Sequence, residues 1–346
     1  MVRASIDHFF DTQRDLLADT GDWLELVWRE AKHFTRGGKR MRPAFCYWGY
    51  VAVADDVPPA GVVDIAASLD LLHLFALVHD DLIDASDTRR GGPSAHRFFE
   101  SHHRGHDWSG DPARFGTSAA ILLGDMLFAW SVSMVEQARI NADRLRRARP
   151  YLDAMRSEVL AGQYLDLLHQ ARPSVPADIV RDAKLVNEFK TAKYTVARPV
   201  QIGAALGLAG DEVQQGLGMF GTRVGRAFQM RDDLLGIFGD PAVTGKPAGD
   251  DLREGKKTVV IGQAMRRATP EQVETLTRML GNPELTSDDI DQCRAILVDS
   301  GAVAATEKAI ESEAAAGMKY LHRLDLSAGG TFALMALVHA AVERTA

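Results

Sequence analysis

The chain has 346 residues, 46% of them hydrophobic and 25% charged, with a formal charge of -7, which is ample for a large buried core and argues against the broad basic surface that nucleic-acid binding requires. Its two cysteines, Cys46 and Cys293, are far apart and exclude a disulfide framework or a thiolate zinc site, so both read as core residues. The first 23 residues carry acids and no unbroken apolar stretch, and no run reads as long enough to span a bilayer, so the expectation is a soluble, cytoplasmic protein with no signal peptide.

Apolar residues recur at helical spacing over residues 62–83, 117–140, 150–170, 178–207, 211–238, 257–268, 288–323 and 330–343, while strand signals are scarce. Gly and Pro punctuate the gaps, at Gly37-Gly38, Pro58-Pro59, Gly91-Gly92-Pro93 and Gly239 to Pro241 among others, and none resembles a flexible linker. The pattern predicts an all-α fold, with residues 1–346 forming one domain. Residues 101–116 contain His102, His103 and His106 without carboxylate or thiol partners at ligand spacing, and read as a solvated polar loop.

Residues 69–87, LDLLHLFALVHDDLIDASD, form an apolar helix ending in carboxylates. Asp80 and Asp84 are four apart and share a face, with Asp81 beside them. Such like charges repel, and at a helix C-terminus they also oppose the macrodipole. A divalent cation relieves both penalties, and hard oxygen donors without soft ligands suit Mg2+, shared with a substrate phosphate.

A second apolar helix, Phe220 to Phe238, carries Gln229, Asp232 and Asp233, and Asp166 in GQYLD lies on an intervening helix. Helices packed antiparallel would let these carboxylates line one cavity. Basic residues punctuate the same regions: Lys39, Arg40 and Arg42 in GGKRMRP, Arg89, Arg90, Lys190, Lys246 in TGKPAGDD, Lys256 and Lys257. Arginine forks, mobile lysines and glycine-exposed amides beside metal-binding carboxylates point to diphosphate ligands.

With those motifs assembled, the chain resembles the trans-isoprenyl diphosphate synthases, the family of farnesyl, geranylgeranyl and longer polyprenyl diphosphate synthases, in order from about Gly37 to Lys257. The resemblance implies a single helical bundle around a deep central cavity, normally a homodimer. It implies that Lys39, Arg42, His73 and Arg90 bind isopentenyl diphosphate. Arg89, Lys190, Thr191, Gln229, Lys246 and Lys256 would hold the allylic diphosphate, whether dimethylallyl, geranyl or farnesyl. Asp80, Asp81 and Asp84, which match DDxxD, would bind Mg2+ together with Asp166 and Asp232. Asp80, Asp84, Lys190, Thr191, Asp232 and Lys246 would carry the catalysis, with oxygens near Lys190 and Thr191 shielding the allylic cation. His73, seven residues before Asp80, also falls on nearly the same azimuth by helix geometry. One departure stands out: the family's second motif ends in a third aspartate, where this chain has Gly236.

For product length, Ala76 lies one turn behind Asp80 on the same face, whereas the helical period puts Phe75 about 140° away. In the family an aromatic at the Phe75 position acts as a floor. An aromatic followed by a small residue, with no insertion in the first motif, resembles synthases that stop at geranylgeranyl diphosphate, with farnesyl or longer products as alternatives. The rival readings are a non-catalytic partner subunit, a metal-dependent phosphohydrolase suggested by His79-Asp80, and a terpene cyclase. Against them stand, in turn, the intact first motif, the lack of further histidine ligands, and the basic residues Lys39, Arg42 and Arg90 that a cyclase would not need.

Overall fold

A helix that is apolar on every side has to be enclosed by others. Residues 60–83 are of that kind and form α4 (Ala60–Ile83), buried at most positions from Gly61 to Val78 and packed against α1 (Val2–Leu16), α3 (Met41–Ala54) and α6 (Pro112–Gln137). In this computed structural model residues 1–173, 175–239 and 249–343 are described, with Pro176 and Ala177 as backbone alone. After α1 come a 3-10 segment, Ala18–Leu24, and α2 (Glu25–Phe34); a two-stranded hairpin, β1 (Thr88–Arg89) and β2 (Gly92–Pro93), follows α4. Then come α5 (Ala95–Gly105), α6, α7 (Ala142–Ala171), α8 (Pro176–Val186), a π-helical segment (Asn187–Ala197), α9 (Arg198–Leu206) and α10 (Asp211–Phe238). The chain closes with α11 (Asp250–Arg253), α12 (Val259–Arg267), α13 (Pro270–Met279), α14 (Ser287–Asp299), α15 (Ala302–Leu321) and α16 (Ala328–Val342).

The all-α expectation holds, and the core has two parts. One surrounds α4 and includes Phe10, Trp28 and Trp130, the two indoles stacked at 4.9 Å. The other surrounds α10, with Phe220, Val224 and Leu234 against α15 and α16. Cys46 and Cys293 are both buried within these cores. Helices α3, α7, α9 and the π segment join the two halves.

Several local expectations are corrected. Residues 101–116 are not a continuous loop, because α5 runs to Gly105 and α6 begins at Pro112. The polar sequence hides an amphipathic helix whose Phe99 and His103 are buried, with His103 Nε2 3.2 Å from the Ser109 carbonyl oxygen. Helices α1, α2, α3, α5 and α13 lie outside the segments that periodicity marked, and residues 288–323 break at Gly301, whose φ of 71° ends one helix and opens the next. Two helices, α4 and α6, are long and apolar enough to cross a membrane, contrary to expectation. The most apolar stretch of α4 is 72% buried within the bundle, whereas α6, at 44%, leaves a face uncovered.

Residues 178–206 are helical throughout, but the middle is π rather than α, and such wide turns occur mostly at functional sites. The segment fits because its neighbours present no side chain there. A Cβ on Gly162 of α7 would lie 2.2 Å from the Lys190 backbone nitrogen, and one on Gly225 of α10 would lie 2.4 Å from Ala192 Cα. We predict that Gly162→Ala lowers stability by about 3 kcal/mol through overpacking against backbone. Urea unfolding should show a lower midpoint at unchanged slope; an unaltered midpoint would mean the seam is looser than this.

Candidate active site

Between the two cores opens a cavity of about 520 Å3. One wall is the face of α4 that carries His73, Ala76, Leu77 and Asp80. α7 supplies Val159, Gln163 and Asp166, the π segment Lys190, Thr191 and Tyr194, and α10 Gln229, Asp232, Asp233 and Gly236. Lys39, Arg90 and Lys256 come from connecting segments, Arg89 from β1, Asp251 from α11, and Arg42 from the first turn of α3.

At one end the lining is acidic. Lys190 Nζ donates to Asp166 Oδ2 at 2.6 Å and to Asp80 Oδ1 at 3.0 Å, and Gln163 Nε2 donates to Asp80 Oδ1 at 2.9 Å. Burial would raise the Asp80 carboxyl, but Lys190, Lys256 and Arg89 outweigh it and hold the group below the usual carboxylate range. Burial likewise acts to lower Lys190, and Asp80, Asp166 and Asp84 override it to push the ammonium up. Asp84 moves the other way: burial and the like charge of Asp80 push it up to about 6, despite Lys256.

Lys256 joins this end to the segment after α10. Its Nζ pairs with Asp84 at 3.2 Å, with Asp251 at 3.5 Å, and with Glu254, while Ser86 Oγ donates to Glu254 at 3.0 Å. The ammonium is driven well up by Asp251, Glu254 and Asp84, against the opposing effect of burial. On α10, Gln229 Nε2 donates to Asp233 at 2.7 Å, and burial raises the Asp233 carboxyl well above its ordinary value.

The other end is basic. Arg42 is half-buried in the first turn of α3, with its guanidinium 4.1 Å from the Tyr194 ring centre and Nη2 donating to Thr195 Oγ1 at 2.8 Å. Its buried Nε has no hydrogen-bond partner among the described residues, a donor position that an anion would satisfy. The positive N-terminus of α3 adds to the same field. Arg90 and Gly91 both have positive φ, 53° and 76°, as the two centres of a type I′ hairpin turn require. That turn sends Arg90 Nη1 to the Phe34 carbonyl oxygen at 2.6 Å. His73 Nδ1 lies 3.2 Å from the Tyr194 hydroxyl, and burial, reinforced by Arg42 and Arg90, lowers its pKa well below the ordinary histidine value.

Of the predicted residues, the structure brings Lys39, Arg42, His73, Ala76, Asp80, Arg89, Arg90, Asp166, Lys190, Thr191, Gln229, Asp232 and Lys256 to one cavity. Lys246 lies outside the described residues. Asp81 does not reach the cavity: it is fully buried and accepts from Arg89 Nε at 2.8 Å and from Nη2. It is therefore positioned to orient Arg89 and not to face a metal. Asp84 stands beside the lining, against Lys256. Phe75 turns away, its ring 5.1 Å from Phe128 and 4.8 Å from His79, in keeping with its azimuth. Lys257 caps α7 by donating to the carbonyl oxygens of His169, Gln170 and Arg172. Sequence reasoning missed Tyr194, the platform for Arg42 and His73. Its spacing of four from Lys190 was the available signal, but a π register was needed to interpret it.

Among the described residues no three acidic, histidine or cysteine side chains stand close enough to hold a metal unaided. Lys190 and Lys256 sit between carboxylates that belong to different helices. That donor set, all hard oxygens and incomplete without phosphate, fits Mg2+, which is commonly bound by one or two carboxylates plus a substrate phosphate.

A helical bundle that sets acidic and basic ends against each other in one cavity defines a class of enzyme acting on diphosphates. The polyprenyl synthetase family model matches residues 25–297, and the chain belongs to that family. It is 33% identical over 302 residues to the geranylfarnesyl diphosphate synthase of Aeropyrum pernix, covering 86% of each chain. To the geranylgeranyl diphosphate synthase of Mycobacterium tuberculosis (strain ATCC 25618 / H37Rv) it is 31% identical, over 84% of this chain and 77% of that protein. The crystal structure of a geranylgeranyl pyrophosphate synthase from Corynebacterium glutamicum, complexed with isoprenyl diphosphate and magnesium, matches at TM-score 0.94 and 38% identity, over 99% and 98% of the two chains.

A carboxylate must lose its proton to bind a metal, so with Asp84 at about 6, Mn2+ affinity should fall as pH drops through 6, by about tenfold between pH 7.5 and 5. Titration by water-proton relaxation checks this, and Asp84→Asn should flatten the slope. An equally steep slope in that variant would place the pH-sensitive group elsewhere.

Proposed function

We propose that the chain is a head-to-tail prenyltransferase that joins isopentenyl diphosphate to an allylic diphosphate, requires Mg2+, and stops at geranylgeranyl diphosphate. The observation that carries this reading is the division of charge within one cavity. Arg42, Lys39 and Arg90 offer an anion site on one side, and carboxylates interleaved with Lys190 and Lys256 lie on the other. Two diphosphates need two such sites, and only one of them has to be ionised.

In this reading Lys39, Arg42 and Arg90 hold isopentenyl diphosphate, with His73 beside them. The acidic end receives the allylic diphosphate. Mg2+, held by Asp80, Asp84, Asp166 and Asp232, would supply the positive charge that stabilises the departing diphosphate. Lys190 and Lys256 add fixed charge there, and Arg89, aimed by Asp81, supports it. The allylic carbon–oxygen bond breaks, the double bond of isopentenyl diphosphate forms the new carbon–carbon bond, and the proton lost from that unit passes to the released diphosphate. No protein nucleophile is required, and orientation of the two substrates supplies much of the rate. The names of the Mycobacterium and Corynebacterium relatives support a twenty-carbon product. We further propose a homodimer, supported by Ile121 and Leu122 standing 44% and 62% exposed on α6; light scattering would show it, and a monomer would refute it.

Incubation with isopentenyl diphosphate, geranyl diphosphate and Mg2+, with products read by mass, should yield geranylgeranyl diphosphate. Asp80→Ala should lower kcat by 10²-fold or more, about 2.7 kcal/mol or more of transition-state stabilisation, without loss of helix content. A cyclic hydrocarbon, or free alcohol and phosphate, would overturn the assignment. Because Ala76 lines the cavity one turn below Asp80, Ala76→Phe should shift the product toward farnesyl diphosphate, and an unchanged product would show that the chain grows along another wall.

A further inference from the structure

On the outer side of the π segment (Asn187–Ala197), Lys193 Nζ lies 3.5 Å from Oε1 of Glu188, five residues earlier in the same segment. In an α-helix residues five apart point about 140° away from each other, and only pairs three or four apart meet. A π turn bonds residue i to i+5 and sets residues at that spacing nearly one above the other. The pair therefore belongs to the π register. With α turns the residues beneath Lys193 would be Lys190 and Phe189, neither of them a carboxylate. The same spacing recurs on the inner side, where Lys190 bonds Asp80 and Asp166 while Thr195 accepts from Arg42 at 2.8 Å. Turns of α pitch would set those two side chains about 140° apart.

Helices on both sides hold the pair. Lys193 Nζ is also 3.3 Å from Glu158 of α7, which accepts from Arg198 Nε and Nη2 at 2.7 Å each, and Glu188 accepts from Arg226 Nη2 of α10. Glu158, Glu188 and Lys193 are all half-buried, so this is a partly shielded network and not an isolated surface pair. Burial acts to raise the Glu188 carboxyl, and Arg226 and Lys193 override it and hold the group below its ordinary value. Gly162 and Gly225 permit the close approach of the segment but do not choose its register. We propose that Glu188 and Lys193 are positioning residues: from the outer face they fix the π register, and so set Lys190, Thr191 and Tyr194 together on the cavity wall. Neither lines the cavity. The consequence for turnover rests on the function proposed above, whereas the register does not.

The test is native-state amide hydrogen exchange of the full chain, together with the nitrogen resonances of the His73 ring, whose Nδ1 lies 3.2 Å from the Tyr194 hydroxyl and so reports where the segment holds that residue. Glu188→Gln, nearly isosteric, and Lys193→Met, which keeps a stem beside Phe189, should each speed exchange at residues 190–197 by about tenfold or more relative to the rest of the chain. Each should also shift the His73 Nδ1 resonance, which a loss of overall stability would leave in place. The two changes together should fall short of the product of their separate effects, as for groups in contact. Glu307→Gln is the control: it breaks a half-buried pair with Arg231 elsewhere on α10 and should leave both readouts unchanged. Unaltered exchange at 190–197, an unmoved His73 resonance, or equal changes in Glu307→Gln overturns the proposal. Turnover with isopentenyl diphosphate and geranyl diphosphate is read separately, and kcat should fall about tenfold or more in each variant. Full turnover in a variant whose exchange and His73 signal have changed would refute the positioning role. If the unaltered chain forms no prenyl product, the proposed function falls, while the exchange and resonance data still decide the register.

Discussion

One ammonium shared between two carboxylates holds the cavity in shape. Lys190 Nζ bonds Asp80 of α4 and Asp166 of α7 from the π segment between them, so three elements meet at one charged atom. Without it, two buried like charges would face each other with little water to screen them. Lys256 repeats the arrangement one step outward, drawing Asp84 toward Asp251 and Glu254. Each lysine neutralises carboxylates in a way that a divalent cation and a diphosphate could take over, which is why a site built for charged ligands can be stable as folded.

That arrangement depends on where the π segment runs. Gly162 and Gly225 let its backbone approach α7 and α10 more closely than any side chain would permit. On its outer side, Glu158 accepts from Arg198 at 2.7 Å and Arg226 pairs with Glu188, while Lys193 lies 3.3 Å and 3.5 Å from the same two glutamates. The wide turns place Lys190, Thr191 and Tyr194 together on the cavity wall. Tyr194 then supports both Arg42 and His73, so the register of one helical segment organises the acidic and the basic ends at once.

The basic end is built differently. Arg42 packs against an aromatic ring and a threonine hydroxyl with no carboxylate bonded to it among the described residues, and Arg90, on a hairpin turn, is held by a carbonyl oxygen. Arg42 and Arg90 bond to neutral groups and feel the nearby Asp70 carboxylate only through space, whereas the lysines at the acidic end bond directly to carboxylates. In the proposed function this asymmetry would separate a diphosphate that is retained from one that leaves.

The all-α class was legible from apolar periodicity alone, and the helices it found are the long ones whose pattern persists over several turns, such as α4 and α10. It missed α1, α2, α5 and α13, where polar residues dilute a shorter apolar face, and α3, which is apolar on nearly every side and so shows little period. The site residue types were also legible, because carboxylates on apolar helices carry a cost that calls for cationic partners or a metal, and the motif order supplied the resemblance. Which way each side chain turns was not. Asp80 and Asp81 are neighbours in sequence, yet one lines the cavity and the other is sealed against Arg89; Lys256 and Lys257 likewise divide between the carboxylates and the end of α7. Adjacent residues on a helix point about 100° apart, and which direction faces ligand is decided by the helices packed around it. The sequence by itself therefore determined the kinds of group present and the helices that carry them. Only the tertiary structure decided their partners, including the carboxylate of Asp251 over Gly236, because that contact joins α10 to a segment beyond it through close approach of backbone, which no local spacing encodes.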